Sequence, residues 1–337
     1  VNDSFPSDEV SNSRFIDCKI PEGENYLFVV QKQYLFENIE FSFENSQIGA
    51  IKIVSSDSVT IRNCKFNGCS SKDGFSSAIT IIGTESNKKI KENVRQVVIE
   101  DLEFTKCGVN GFAFTATNYP HVIIRNIVVE FESQENSGGG MLIQNCGICT
   151  VSDSTINNTN SQGIKYVLEK EPTVDDMLLI DNATFDRCNG VGCYLDVQPS
   201  FSIKISIESC NFEDCKKGEN QNSIAIGINK ASDSILLNIR DNIFTNCGEK
   251  QGSNYVIIFE MNRAPKDNLD AIVFENNIIE FEDASKSCIA LRAIQENREM
   301  KIHNCSFSKC SKTSNNEYPW ENSISVNSFK NVEINEC

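Results

Sequence analysis

The chain has 337 residues, 39% of them apolar, and can therefore bury a sizeable hydrophobic core. Its 47 acidic and 31 basic residues give a formal net charge of -16, which opposes binding to nucleic acid or to an anionic lipid surface. No apolar run of about 18 residues is present, so the sequence predicts no membrane-spanning helix.

One pattern recurs in twelve copies along the chain. An apolar anchor is followed two residues later by Asn or Asp, then by a small or apolar residue, and two positions further by a large apolar residue; Ile61, Asn63, Cys64 and Phe66 are an example. The copies span 319 residues in eleven intervals, so the period is about 29 residues, which is typical of a solenoid. In chain order, the anchors are Phe15, Phe36, Ile61, Ile99, Ile124, Val151, Ile180, Ile207, Ile239, Phe274, Ile302 and Ile334.

The position two residues after the anchor predicts a tight corner, because Asn and Asp tolerate the left-handed backbone conformation. Apolar residues alternate on both sides of it, which predicts two short strands that meet at this corner. A third strand follows in most copies, as at Ala50, Ala78 and Phe112. Three short strands without a helix bury their apolar faces only by stacking on the next copy. The corner column contains Asp17, Asn38, Asn63, Asp101, Asn126, Asp153, Asn182, Ser209, Asp241, Asn276, Asn304 and Glu336.

These columns resemble those of right-handed parallel β-helix proteins with the pectin-lyase-like architecture, from Phe15 to Cys337. The Asn/Asp column is similar to the asparagine ladder of such proteins. The glycine run at 138–140 and the recurring Phe-x-x-Cys resemble the polymorphic-outer-membrane-protein type of surface β-helix. A leucine-rich repeat is the alternative solenoid, but leucine is scarce and each copy has a third strand.

The resemblance implies an all-β fold: one single-stranded right-handed parallel β-helix of about twelve coils, with three short strands per coil. We expect one domain over 1–337, with 1–14 leading into the chain and repeat coils over 15–337. Because no polar cap closes the last copy, we also expect the native protein to be longer.

Eleven of the fifteen cysteines occupy two positions of the repeat. A metal site needs several converging ligands, and the chain has only two histidines, His121 and His303. The Cys-x-x-Cys at 146–149 lacks the helix start that a redox pair uses. Disulfides between coils remain an alternative, but exchange of these cysteines with Ala, Ile and Leu favours reduced core ladders. The eleven are Cys18, Cys64, Cys69, Cys107, Cys188, Cys210, Cys215, Cys247, Cys305, Cys310 and Cys337.

The resemblance also implies where catalysis would lie. Enzymes of this fold cleave polysaccharides with clustered Asp residues on the outer face of one sheet, with Ca²⁺ or with Arg and Lys. Among outward positions of the third strands, Asp196 is the acidic residue found, and Tyr194 and Lys165 lie near it on adjacent coils. These three residues are the catalytic candidates. The residues themselves predict no metal and no cofactor, and Ca²⁺ enters only through the resemblance.

Loops on a rigid solenoid are where recognition is expected. Tyr318 and Trp320 stand in one long insertion and Tyr119 and His121 in a shorter one, and their rings suit contact with a glycan or a protein. The sequence therefore predicts an extracellular or cell-surface module for recognition or adhesion. The alternatives are a polysaccharide lyase or glycoside hydrolase, and a structural rod that associates end to end.

Four Asn-x-Ser/Thr sequences are candidate glycosylation sites. Asn2 and Asn157 are predicted to carry glycans. Asn182 and Asn304 fall in the corner column, where we expect a glycan to collide with the stacked coils.

Overall fold

The structure is a computed structural model in which two compact units are distinguished, Val1–Ile164 and Lys165–Cys337. All of its described elements are strands, and no helix in the described part is long and apolar enough to cross a membrane. The structure describes residues 9–20, 22, 24–30, 34–43, 47–55, 58–72, 77–83, 95–132, 137–169, 177–189, 191–197, 202–215, 224–231, 234–247, 257–261, 271–285, 289–293, 299–310, 324–327, 331–335 and 337.

In the first unit, two parallel sheets are built from strands that alternate along the chain. Sheet 1 contains the strands that flank the Asn/Asp corner: β1 (Glu9–Ile16), β3 (Tyr34–Ser42), β5 (Val59–Asn67), β7 (Gln96–Thr105), β9 (His121–Glu130), β11 (Ile148–Ser152) and β12 (Thr155–Asn157). Sheet 2 contains the third strands: β2 (Tyr26–Val30), β4 (Gly49–Ser55), β6 (Ile79–Gly83), β8 (Phe112–Thr117) and β10 (Gly139–Gln144). Strand β13 (Ile164–Leu168) begins at the boundary of the unit.

The second unit repeats this arrangement with shorter strands. Its sheet 1 contains β14 (Met177–Asp181), β15 (Thr184–Asp186), β17 (Ser202–Glu208), β18 (Asn211–Glu213), β20 (Ser234–Arg240), β21 (Ile243–Thr245), β23 (Ala271–Glu275), β24 (Ile278–Ser285), β26 (Glu299–His303), β27 (Ser306–Cys310) and β29 (Asn331–Asn335). Its sheet 2 contains β16 (Val191–Val197), β19 (Ile224–Ala231), β22 (Ile257–Met261), β25 (Ile289–Ala293) and β28 (Ile324–Asn327). The predicted all-β parallel solenoid is confirmed.

The coils turn at residues in the left-handed backbone region. At the first corner, between the two strands of sheet 1, the φ values include 53° for Asn63 and 50° for Asn182. Side-chain amides of this corner bond from coil to coil, as from Asn304 Nδ2 to Asn276 Oδ1 (2.8 Å).

A second corner follows the phenylalanine column, where Lys106 has a φ of 55°. A third corner follows sheet 2, where Asn118 and Asn145 have positive φ. Polar residues hold these corners because their backbone tolerates the conformation.

The core is a stack of inward side chains in register. Phe41, Phe66 and Phe104 lie with ring centroids 5.1 and 5.0 Å apart in the first unit. Phe212 lies 4.8 Å from Phe185 and 4.9 Å from Phe244 in the second. These separations match the spacing of neighbouring parallel strands, so each ring packs on its equivalent in the next coil.

The first copy of the repeat differs from its predicted alignment. The structure pairs Val10 with Phe36 and Phe15 with Phe41, so the true anchor is Val10. Asn12, with φ of 50°, occupies the first corner and accepts a hydrogen bond from Asn38. Asp17 lies at the second corner, where its amide bonds to the carbonyl of Ser42. The prediction failed because at both corners an apolar residue is followed two positions later by a residue such as Asn or Asp, and then often by Cys.

The glycine run at 138–140 serves close packing. Gly139 and Gly140 lie within β10. A Cβ at Gly138 would overlap the carbonyl oxygen of Gly108, and one at Gly140 would meet the side chain of Ile156 in the core. Glycine is required here because neighbouring backbone approaches closely.

Candidate functional site

The three predicted catalytic candidates lie on sheet 2 of the second unit. Lys165, Tyr194 and Asp196 are half-buried, and the strand of Asp196 pairs with β19, where Asn229 lies opposite it. Strand β19 pairs in turn with β22, with a register shift in β19. Glu260 lies on β22 and pairs with Arg292 on β25. Two strand spacings separate the backbones of Asp196 and Glu260, or roughly 10 Å. Glycosidases place their two carboxyl groups about 5 to 9.5 Å apart, so this backbone spacing is slightly wider than that range.

Sheet 2 of the first unit presents hydroxyl groups instead of carboxylates. The hydroxyl of Tyr26 contacts Ser71 Oγ (2.9 Å) and Thr80 Oγ1 (2.7 Å), and Ser77 Oγ lies 2.7 Å from Thr115 Oγ1. All five residues are buried. Their hydrogen bonds are made within the protein, so this cluster fastens the chain before β6 to the sheet and offers no acid or base.

The predicted aromatic contacts have different outcomes. Tyr119 is 1% exposed and packs beside Gly83, so its ring is part of the core and offers no surface to a ligand. The interpretation of Tyr119 as a binding residue is therefore wrong. His121 is half-exposed at the first position of β9. Tyr318 and Trp320 lie outside the described residues.

The candidate glycosylation sites also need one correction. Asn182 and Asn304 are exposed at the outer side of the corner, so the expected collision of a glycan with the stacked coils is wrong. Asn157 is half-buried in β12, and the Thr159 of its sequence motif is fully buried. Asn2 lies outside the described residues. Glycosylation at Asn2 and Asn157 stays a prediction.

The residue directly after a corner points inward, and in many coils its side chain bonds to backbone carbonyls; we call this the inner corner position. Cys64 Sγ donates to the carbonyl oxygens of Arg62 (3.1 Å) and of Phe36 in the preceding coil (3.8 Å). Cys107 at the second corner contacts Phe66 O at 3.3 Å in the same way. A thiol is a weak donor, but it fills a buried position and offers a partner to a corner carbonyl. Other thiols at such corners that contact a backbone carbonyl are Cys69, Cys146, Cys210, Cys215, Cys247, Cys305 and Cys337.

These thiols form no disulfide and have low reactivity. Thirteen cysteines of the described part are outside any disulfide; the side chain of Cys310 is not described. Burial raises the pKa of the Cys64 thiol to about 11 and that of Cys210 to about 12. Burial, and the neighbouring thiols of Cys188 and Cys247, also raise the pKa of Cys215. The neutral thiol is a poor nucleophile and a poor metal ligand. In the described part, no three His, Cys, Asp or Glu side chains form a possible metal site.

Two asparagines replace cysteine at the inner corner position of the second unit. Asn242 and Asn277 are buried, and the Oδ1 of Asn277 accepts hydrogen bonds from the backbone N (3.1 Å) and Nδ2 (3.0 Å) of Asn242. Their own Nδ2 atoms donate to Ile207 O and Ile239 O, both at 2.9 Å. The internal asparagine ladder therefore lies one residue after the exposed Asn/Asp column.

Sheet 1 of the first unit carries a ladder of ion pairs on its outer face. Glutamates and basic residues alternate at paired positions of neighbouring strands, so that Lys65 lies between Glu40 and Glu103. The Nζ of Lys65 is 2.6 Å from Glu103 Oε2. The other pairs of this ladder are Arg14–Glu40, Arg62–Glu37 and Arg125–Glu100. This face satisfies its own charges.

Sheet 1 of the second unit has a different outer face. Ile243 and Ile278 lie opposite each other on β21 and β24, and are 43% and 37% exposed. Two positions along, the exposed Glu213 pairs with Thr245, which in turn pairs with the exposed Glu280. No ion pair or hydrogen bond of these two carboxylates is present within the described residues. We call these four residues, Ile243, Ile278, Glu213 and Glu280, the isoleucine–glutamate face.

Comparison with known proteins decides the family. The description "right handed beta helix region" matches residues 7–176 and, in a second match, 90–264. The chain belongs to the right-handed β-helix family. Searches among curated proteins and solved structures gave no significant match. In this right-handed β-helix the corners, the phenylalanine stack and the inner ladders are the repeating framework, and the outer faces are where the two units differ. The resemblance to the polymorphic-outer-membrane-protein type stays a prediction.

Sequence reasoning missed the isoleucine–glutamate face. It examined outward positions on the third strands only, whereas this face lies on sheet 1. The signal was available: the position after the inner corner residue holds Arg14, Glu40, Lys65 and Glu103 in early copies but isoleucine in two later ones. The sequence did not single out Glu260, which lies in β22 (Ile257–Met261).

Proposed function

We propose that this right-handed β-helix is an extracellular or cell-surface module that recognises a protein or a glycan without chemically altering it. The observation that carries the proposal is the isoleucine–glutamate face. Ile243 and Ile278 are exposed side by side on neighbouring strands of sheet 1, and each lies near a carboxylate that no described residue pairs. Apolar side chains rimmed by polar groups are typical of interaction sites.

The rest of the described surface supports recognition over catalysis. The outer face of sheet 1 in the first unit is neutralised by its own ion pairs, and the hydroxyl cluster of sheet 2 is buried. The thiols that sequence analysis singled out stay protonated inside the coils, since burial raises the pKa of Cys64 and Cys210. A nucleophile activated by a neighbouring base is therefore missing from these groups.

The proposal is tested by measuring binding and turnover on the same ligands. Purified protein is applied to arrays of glycans and extracellular proteins, and each ligand that it retains is incubated with the protein and then analysed for mass and reducing ends. We expect saturable binding and an unchanged ligand. Release of reducing ends or unsaturated sugar from a retained glycan would refute a non-catalytic role.

A polysaccharide-cleaving enzyme is the second candidate function, and one observation favours it. Asp196 and Glu260 lie two strand spacings apart on sheet 2 of the second unit, with Arg292 paired to Glu260. One carboxylic acid and one carboxylate about 5 to 9.5 Å apart can act on a glycosidic bond, and residues on nearby strands of one sheet can supply them. If this sheet is catalytic, Asp196→Asn abolishes cleavage of a polysaccharide panel while Tm is unchanged; equal product from both proteins excludes Asp196.

A further inference from the structure

The isoleucine–glutamate face also indicates what kind of partner fits it. We propose that it binds a protein segment that carries lysine or arginine together with aliphatic side chains. This inference rests on the proposed recognition function and adds the place and the chemistry of the partner.

The first unit has a lysine between two glutamates on the outer face of sheet 1, and the equivalent position of the isoleucine–glutamate face has no cation. In the first unit, Glu40, Lys65 and Glu103 occupy paired positions on three successive strands, and the lysine supplies a cation between two glutamates. In the second unit, Glu213, Thr245 and Glu280 occupy three successive strands in the same manner, with an uncharged residue in the middle. A cation that reaches Thr245 from outside would lie between two carboxylates, as Lys65 does.

No residue that the structure describes neutralises these two carboxylates. Arg240 pairs with Glu275, since its Nε lies 3.4 Å from Glu275 Oε2. Asp241 accepts a hydrogen bond from Asn276 (2.9 Å). The adjacent acidic groups thus have internal partners, whereas Glu213 and Glu280 are exposed and available to a partner's basic side chains.

An inorganic cation does not fit this arrangement. The two glutamates are two strand spacings apart, about 10 Å between their backbones. Calcium needs six to eight oxygen atoms at about 2.3 to 2.6 Å, which carboxylates so far apart do not provide. Long lysine or arginine side chains, by contrast, can each reach a separate carboxylate.

The isoleucine pair adds the second requirement. Ile243 and Ile278 each leave more than a third of their surface in water, and covering apolar area contributes about 25 cal/mol per Å². A neutral glycan brings no cation, and nucleic acid or an acidic glycan is repelled by a chain with a formal charge of -16. A basic and aliphatic protein segment satisfies both the carboxylates and the isoleucines.

The test uses the whole protein and three labelled synthetic peptides of equal length: one basic and aliphatic, one acidic and aliphatic, one basic and polar. Fluorescence anisotropy measures their affinities at low and high salt. We expect the basic–aliphatic peptide to bind at least tenfold more tightly than the other two, and its affinity to fall as salt rises.

Two double variants locate the site. Ile243→Ser with Ile278→Ser, and Glu213→Gln with Glu280→Gln, should each weaken binding of the basic–aliphatic peptide at least tenfold. Matched controls are Glu40→Gln with Glu103→Gln, and Ile16→Ser, which alter exposed residues of the first unit and should change affinity less than twofold. Unchanged Tm shows that the variants fold.

The outcomes separate this inference from the proposed function. If the wild-type protein retains an array ligand and both face variants retain it equally, the recognition function stands and this face is wrong. If the acidic–aliphatic peptide binds as tightly as the basic one, the partner's chemistry is wrong. Self-association in analytical ultracentrifugation that Ile243→Ser with Ile278→Ser abolishes would make a second copy of the chain the occupant. Retention of no array ligand and no peptide would overturn both proposals.

Discussion

At the scale of single residues, the inner corner position explains why cysteine, serine and asparagine replace one another. Each corner leaves carbonyl groups that the strand ladders do not satisfy, and the next residue is buried beneath it. Ser154 Oγ donates to Ser152 O at 2.7 Å, where Cys64 donates to Arg62 O and Asn277 to Ile239 O. The position accepts apolar residues such as Leu102 and Ile127, and where it holds Cys, Ser or Asn the side chain also donates a hydrogen bond to a backbone carbonyl.

The asparagine ladder yields the first prediction. Asn277→Ala removes the acceptor of two hydrogen bonds from Asn242 and the donor to Ile239 O, all in the core. Because unsatisfied buried polar groups cost about 1 to 3 kcal/mol each, the free energy of unfolding should fall by roughly 2 to 4 kcal/mol. Urea denaturation measures it. The control Asn211→Ala, at a half-exposed position, should cost less than about 1 kcal/mol, and equal losses would contradict the role of Asn277.

The buried thiols yield a prediction for alkaline pH. Folding raises the pKa of Cys64 from 9.0 to about 11 and of Cys210 from 9.0 to about 12. The unfolded chain therefore loses these protons first, so their stabilisation is complete below pH 9 and is lost as pH rises towards 11. Each thiol should reduce the free energy of unfolding by about 1.4 kcal/mol per pH unit in that range.

Urea midpoints at pH 7.5, 9, 10 and 11 measure this effect. The variant Cys64→Ser with Cys210→Ser should lose less stability between pH 9 and 11 than the wild type, because serine does not titrate there. A parallel decline of the two proteins would show that other groups cause the alkaline loss.

At the scale of elements, the two units use the same strands with different outer faces. In the first unit, alternating charges connect neighbouring strands of sheet 1 and oppose slippage of their register. Exposed cross-strand pairs contribute only about 0.2 to 1 kcal/mol each. The ladder therefore fixes register more than it adds stability.

Charge reversal tests the ladder. Lys65→Glu would place three glutamates in a row with Glu40 and Glu103. Urea denaturation should show a loss of about 1 kcal/mol at low salt, and about half of it should disappear at 1 M NaCl. Lys204→Glu is the control, because the cross-strand neighbours of this exposed lysine, Met177 and Leu236, are uncharged. Equal losses of unfolding free energy for the two variants would show that the ion-pair ladder does not cause the effect.

Most elements could be predicted because the repeat forces them. Corners need residues that accept the left-handed conformation, and stacked coils need apolar residues at alternate positions, so both leave periodic signals. The first copy was misaligned because Phe15, Asp17 and Cys18 satisfy the pattern of either corner. A short motif cannot distinguish the first corner from the second, because both require a residue that accepts the left-handed backbone conformation.

At the scale of the whole molecule, a sequence repeat predicts the architecture well but says little about function. The Asn/Asp column and the phenylalanine stack predict the β-helix, but binding residues break the period and have no fixed position in it. Tyr119 was misassigned because "NYP" is typical of a loop, whereas the third corner turns its ring inward. The isoleucine–glutamate face becomes visible only when the register of sheet 1 aligns residues that are about thirty positions apart.

Carboxyl footprinting tests the central claim most directly. The protein is labelled with carbodiimide and glycinamide, with and without saturating basic–aliphatic peptide, and each modified residue is quantified by mass spectrometry. We predict that the peptide protects Glu213 and Glu280 and leaves Glu40, Glu103 and Asp196 labelled as before. Protection of Asp196 with full labelling of Glu213 and Glu280 would contradict the claim and move the binding site to sheet 2.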